Sequence, residues 1–80
     1  VPRYHFNVHD SSNIPDREGT DLPNLQSARV EAVKLAGQSL LDEAEAFWEG
    51  SNWHLEVMND RGLILFRLDF MATEAAAASL

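Results

Sequence analysis

Three short stretches of this chain alternate apolar and polar side chains with period two, and one long stretch between the first and the second repeats with helical period. In residues 3–9, Tyr4, Phe6 and Val8 alternate with His5, Asn7 and His9. In 52–58, Trp53, Leu55 and Val57 alternate with His54, Glu56 and Met58, and in 63–70, Ile64, Phe66, Leu68 and Phe70 share one parity. Period two marks a strand with one buried face. Three such faces need cover, and a chain of 80 residues has one helix to supply it. The expected fold is therefore α+β: one helix on one side of a three-stranded antiparallel sheet, in the order strand, helix, strand, strand.

Asn24 is a good N-cap, and the residues after it carry the helical stripe: Leu25, Ala28, Ala32, Leu35, Ala36, Ser39, then Leu40, Glu43 and Phe47, widened by Val33, Leu41 and Ala44. Gly50 is the natural stop. A helix of about 24 residues is roughly 36 Å long, against about 26 Å for an eight-residue strand. It must overhang the sheet or break, and Gly37 is the expected place for a break. Asp42, Glu43, Glu45 and Glu49 sit at the negative end of the helix dipole with no basic residue after Lys34. That predicts a solvated, frayed end, or one capped by a basic partner.

Residues 10–24, "DSSNIPDREGTDLPN", are rich in turn formers, and Pro15, Gly19 and Pro23 preclude a long element there. A short strand near Gly19–Leu22 can still pair at a sheet edge. "NDRG" between the last two strands reads as an even, four-residue loop, Asn59 to Gly62, with Gly62 left-handed, because Val57 is expected to share a face with Ile64 and Leu55 with Phe66. If the helix returns the chain to its start, the strands before and after it run the same way. The third strand then separates them, giving the order 1-3-2. The alanine-rich tail, residues 71–80, favours helix but has no strong stripe, so the domain is expected to comprise residues 1–70.

The formal net charge of −7, from 13 acidic and 6 basic residues with no two basic residues adjacent, argues against nucleic acid and against an anionic membrane surface. There is no cysteine, so thiolate metal sites and disulfides are excluded and a reducing compartment is favoured. No apolar run reaches the roughly 18 residues of a membrane span, and "VPRYHF" lacks the features of a signal peptide. The expected location is the cytoplasm.

His5 and His9 are four residues apart on one strand, about 13 Å between Cα atoms. His54, on the opposite edge in the 1-3-2 order, is roughly 10 Å away. The three histidines are thus expected to share a wet face without converging on a metal, although a dimer can bring His5 or His9 near a symmetry mate. Asp16, Glu18 and Asp21 crowd a glycine turn, but counting from Asp16 the sixth and twelfth positions of a calcium loop hold Asp21 and Ser27. No G-x-S-x-G, glycine-rich phosphate loop or cysteine nucleophile is present. The expectation is no enzyme, no cofactor and no resident metal. The open sheet face, His5, Asn7, His54, Glu56, Met58, Leu63, Leu65 and Arg67, is the candidate interaction surface, since apolar residues there accompany the polar ones.

The strand "RYHFNVHD", the loop "PDREG" and the hairpin "WHLEVMNDRGLILFRLDF" together resemble a family of short bacterial proteins of unknown function, common in alphaproteobacteria. The resemblance runs over residues 2–70. It implies the same α+β fold and a bacterial cytoplasmic home, and it carries no activity and no catalytic residues. Members often carry histidine in the first strand where this chain has Asn7, which argues further against a metal. The resulting expectation is a non-enzymatic interaction or regulatory module, a homodimer through the open face or a strand edge. The runner-up is a small ligand- or metal-binding protein with a site across a dimer.

Overall fold

The computed structural model describes residues 1–10, 13–49 and 52–79. Its elements are β1 (Arg3–His9), β2 (Asn13–Ile14), β3 (Thr20–Asp21), α1 (Leu25–Asp42), α2 (Ala44–Phe47), β4 (Asn52–Asn59) and β5 (Ile64–Met71). The expected α+β layer is present, but the sheet has five strands and a different order. β4 is central, paired antiparallel with β1 on one side and β5 on the other. β2 and β3 both pair with β1 on its remaining edge.

The turn-rich segment explains the difference from 1-3-2. It is a return leg: Asn13–Ile14 pairs with Val8–His9, Thr20–Asp21 pairs with Arg3–Tyr4, and Leu22 N donates to Pro2 O at 3.0 Å. The chain is back at the start of β1 before the helix begins. α1 therefore runs in the direction of β1, and β4 descends antiparallel to β1 and joins it directly. The short strand expected near Gly19–Leu22 forms at Thr20–Asp21.

The core lies between α1 and one sheet face. Tyr4, Phe6, Trp53, Leu55 and Val57 are buried from the sheet, and Ala28, Ala32 and Ala36 are completely buried from the helix. Val8, Phe66, Leu68, Phe70, Leu35, Leu40 and Phe47 pack around them. The i, i+4, i+8 spacing of the three alanines makes a flat seam on which the helix backbone approaches the sheet closely. Trp53 meets Phe70 edge-on, with ring centroids 5.3 Å apart.

Asn24 caps α1 as expected, its side chain accepting from Ser27 N at 2.9 Å. The helix passes through Gly37 without interruption and breaks at Glu43, whose φ of −115° and ψ of 29° leave the helical region. Val33, Leu41 and Ala44 do not widen the buried stripe; all three are exposed, Val33 by 61%. The seam is narrow because alanines, not large side chains, define it. The predicted stop at Gly50 lies outside the described residues.

The hairpin also departs from expectation. Asn59 N donates to Leu63 O, and Gly62 N donates to Asn59 O, each at 3.0 Å. Three residues, Asp60, Arg61 and Gly62, thus stand between the paired Asn59 and Leu63. Gly62 takes φ +79°, as the turn requires. A bulge then falls between Val57 and Met58, opposite Leu65: Met58 pairs with Ile64, but Val57 pairs with Phe66 and Leu55 with Leu68. Ile64 is consequently outside the core, at 57% exposure. The tail beyond β5 forms a 3-10 turn, Ala76–Ser79. Among the described residues no helix is long and apolar enough to cross a membrane.

Candidate functional site

The conspicuous motifs of the first third of the chain interlock around Asp16. Its carboxylate accepts from Phe6 N (3.1 Å) and from Gly19 N (3.0 Å). Its own N–H donates to Asn7 Oδ1 at 2.8 Å, and its carbonyl accepts from His5 Nδ1 at 2.9 Å. Arg3 Nη1 donates to the Glu18 carbonyl at 2.6 Å, and Arg3 Nε is 3.0 Å from Asp21 Oδ1. Gly19 sits at φ +77° against the Arg3 and His5 side chains, where an added Cβ would come within 2.8 Å of Arg3 Cγ. "RYHFN" and "PDREG" are thus two halves of one hydrogen-bonded clasp. Asp16 and Asn7 are engaged by backbone groups, and Asn7 is buried rather than presented on an open face.

His5 belongs to the same clasp. Nδ1 faces a carbonyl, and Nε2 lies 2.9 Å from Asp60 Oδ1, so both ring nitrogens must donate. Only the imidazolium can do that. The Asp60 carboxylate first, and the Asp16 carbonyl second, hold the His5 pKa above its usual value. His5 therefore ties the return leg to the hairpin turn.

The remaining polar face converges where the sequence predicts divergence. Because β1 lies beside β4, His9 pairs directly with His54, and their rings stack at 4.5 Å with planes 13° apart. Glu56, two residues along β4, reaches both: its Oε2 is 3.5 Å from His9 Nε2 and its Oε1 3.6 Å from His54 Nε2. One ligand atom from each of the three lies within 4.8 Å of the others. Arg67 Nη1 stands 3.8 Å from Glu56 Oε1 and is fixed by Asp69, whose carboxylate accepts from Nε and Nη2 at 2.7–3.1 Å. That pairing lowers the Asp69 pKa and raises that of Arg67.

Of the predicted surface, then, His54, Glu56 and Arg67 come together beside Asp69, which the same alternation puts on this face, and His9 joins them as the member that the strand order hid. His5 and Asn7 are drawn into the clasp. Met58 is half-buried, and Leu63 and Leu65 are exposed beside Ile64 at the hairpin end. At the other end of β5 an apolar groove runs between Leu40, Phe47, Trp48, Phe70 and Met71. The position of Trp48, one residue off the helical stripe that ends at Phe47, is the sequence signal for it, and Trp48 is exposed. Among the described residues, the outer edge of β5 has no strand partner.

A family model described as a domain of unknown function (DUF6894) matches residues 3–71. No curated protein and no solved structure matches the chain.

Proposed function

The chain belongs to DUF6894, a family of domains without an assigned function, and on that premise we propose that it is a non-enzymatic interaction module that pairs through the free edge of β5, with a second copy of itself as the occupant. The observation that carries this reading is the edge itself: eight residues, Ile64–Met71, unpaired on one side among the described residues and containing neither proline nor lysine. Antiparallel pairing centred on Leu68 sets Arg67 of each copy opposite Asp69 of the other, Phe66 opposite Phe70, and Leu65 opposite Met71 beside the apolar groove. The contact is isologous, as a two-fold dimer requires. His5 and Asp16 are engaged in the clasp and are not free for acid–base work. The reading places the domain in the bacterial cytoplasm, in keeping with the lack of cysteine.

Sedimentation equilibrium from micromolar to millimolar protein tests it. A mass of two chains is expected, with tighter association as salt screens the −7 charge of each copy. Arg67→Asp, which sets two carboxylates against Asp69, is expected to dissociate the dimer, and adding Asp69→Arg to restore it. A single-chain mass throughout, or a dimer indifferent to both changes, overturns the reading.

A further inference from the structure

We propose that His9, His54 and Glu56 form, within a single chain, a binding site for a first-row divalent transition metal of the zinc class. Its three ligands lie on β1 and β4, so the site is complete within one chain whether or not β5 pairs with a second copy.

Three features argue for a metal rather than a chance meeting of side chains. The first is donor chemistry. Two imidazole nitrogens and one carboxylate are the set preferred by zinc, nickel, cobalt and iron(II), and not by calcium or magnesium, which take oxygen. The second is the state of His9. Nδ1 lies 2.8 Å from Asn13 Oδ1, an acceptor, so Nδ1 carries a proton and Nε2 is the nitrogen left to face Glu56. That Nε2 is buried and has no hydrogen-bond partner among the described residues. At 3.5 Å from the Glu56 carboxylate, this nitrogen is placed to share a cation with it: a proton in the metal-free protein, or a metal ion that displaces that proton. The Asn13 amide fixes ring and tautomer in the manner of the outer-shell partners of metal-bound histidines.

The third is spacing. Ligands bonded at about 2.0–2.1 Å in a tetrahedron are roughly 3.3 Å apart. Glu56 faces both rings, with Oε2 3.5 Å from His9 Nε2 and Oε1 3.6 Å from His54 Nε2, and one donor atom from each residue lies within 4.8 Å of the other two, so rotations of the carboxylate and the rings bring the set to that spacing. The scaffold is rigid, since the ligands sit on two paired strands in the middle of the sheet, at a cross-strand pair and its diagonal neighbour. The His9, His54 and Glu56 side chains retain 27%, 24% and 19% of their accessibility, so the cluster has an opening to solvent on the outer face of the sheet. Arg67, held by Asp69, borders that opening and offers a positive charge to an anionic fourth ligand.

The test is calorimetric titration of the full chain with zinc, nickel and magnesium chlorides, together with the visible absorption of the cobalt complex. One zinc per chain, a tetrahedral or five-coordinate cobalt spectrum and no response to magnesium are expected. His54→Ala and Glu56→Gln should each weaken zinc by at least about tenfold, and Asn13→Ala, which removes only the outer partner, by about tenfold. His5→Gln should leave zinc affinity unchanged, because His5 is committed to Asp16 and Asp60. Circular dichroism of each variant verifies the fold, and imidazole NMR shifts report the ligands directly if His54→Ala is unfolded. No zinc binding by the folded protein, undiminished affinity in Glu56→Gln, or perturbation by zinc of His5 in place of His9 and His54 overturns the proposal.

Discussion

Replacing Ala32 by leucine should be among the most damaging single changes in this chain, and replacing its neighbour Val33 by leucine should be nearly silent. Ala32 is fully buried at the middle of the Ala28–Ala32–Ala36 seam, in one cluster with Tyr4, Phe6, Leu55 and Val57. A leucine adds three carbons where there is no space, so the helix must lift from the sheet or the aromatic side chains must leave their rotamers. Overpacking of that kind costs about 1–3 kcal/mol. The upper end is expected here, because lifting α1 also separates Ala28 and Ala36 from the sheet. A domain of this size has roughly 4–12 kcal/mol in total, and 3 kcal/mol corresponds to a fall of roughly 12–24 °C in melting temperature. Val33 lies one residue on but points to solvent, so Val33→Leu should stay within about 0.5 kcal/mol of the parent. Urea denaturation followed by tryptophan fluorescence measures both. Equal stability of the two variants would refute the claim that an alanine seam sets the distance between helix and sheet.

Gly19→Ala should destabilise by about 1–3 kcal/mol, since it combines positive φ with a clash against Arg3 and His5, and a proton NMR spectrum unchanged at Phe6 and Asn7 would contradict it. Leu55→Ala, which empties the centre of β4, should cost about 2–5 kcal/mol by the same urea assay. The stability difference between the parent and His5→Gln depends on pH. The folded-state pKa of His5 is raised, so its contribution, on the order of 1 kcal/mol for hydrogen bonds to a partly exposed Asp60, is fully present below about pH 6.5 and is lost as pH rises through the folded value. Denaturation series on either side of neutrality should therefore converge at alkaline pH, and a gap that widens there would reverse the assignment of His5 as an imidazolium.

The elements of this fold are written locally. Tyr4, Phe6 and Val8, and Trp53, Leu55 and Val57, show their buried face by alternation alone, and Asn24 marks the helix start. What local pattern leaves open is the path between elements. Residues 10–24 are recognisable as turns, yet nothing in their types says that they run back along β1, and on that path the strand order depends. Once the order is misread, His9 and His54 fall on separate strands with a third between them, and the His9–His54–Glu56 cluster disappears from view. The bulge is hidden for a different reason. "LILF" at 63–66 is apolar at every position, so alternation is silent where the register slips, and Ile64 is credited to the core although it lies outside. Asp16 is visible as an acid in a glycine turn, but the groups that bind it are backbone amides, and these have no letter in the sequence.

The central position of β4 governs how this chain can be made as well as how it stands. β4–β5 is a tight hairpin, whereas β1 meets β4 only after an excursion that contains the whole return leg and both helices. Closing a loop of that length costs only a little more entropy than closing a shorter one, but during synthesis it cannot close at all until residues 52–59 have cleared the ribosome. Until then β1 has only the two-residue strands β2 and β3 beside it, and the alanine seam of α1 has no strand pair to rest on. A nascent chain that ends just before residue 52 thus has a clasp and an unsupported helix, and the domain assembles in one late event, when its middle strand arrives beside β1 and brings β5 after it.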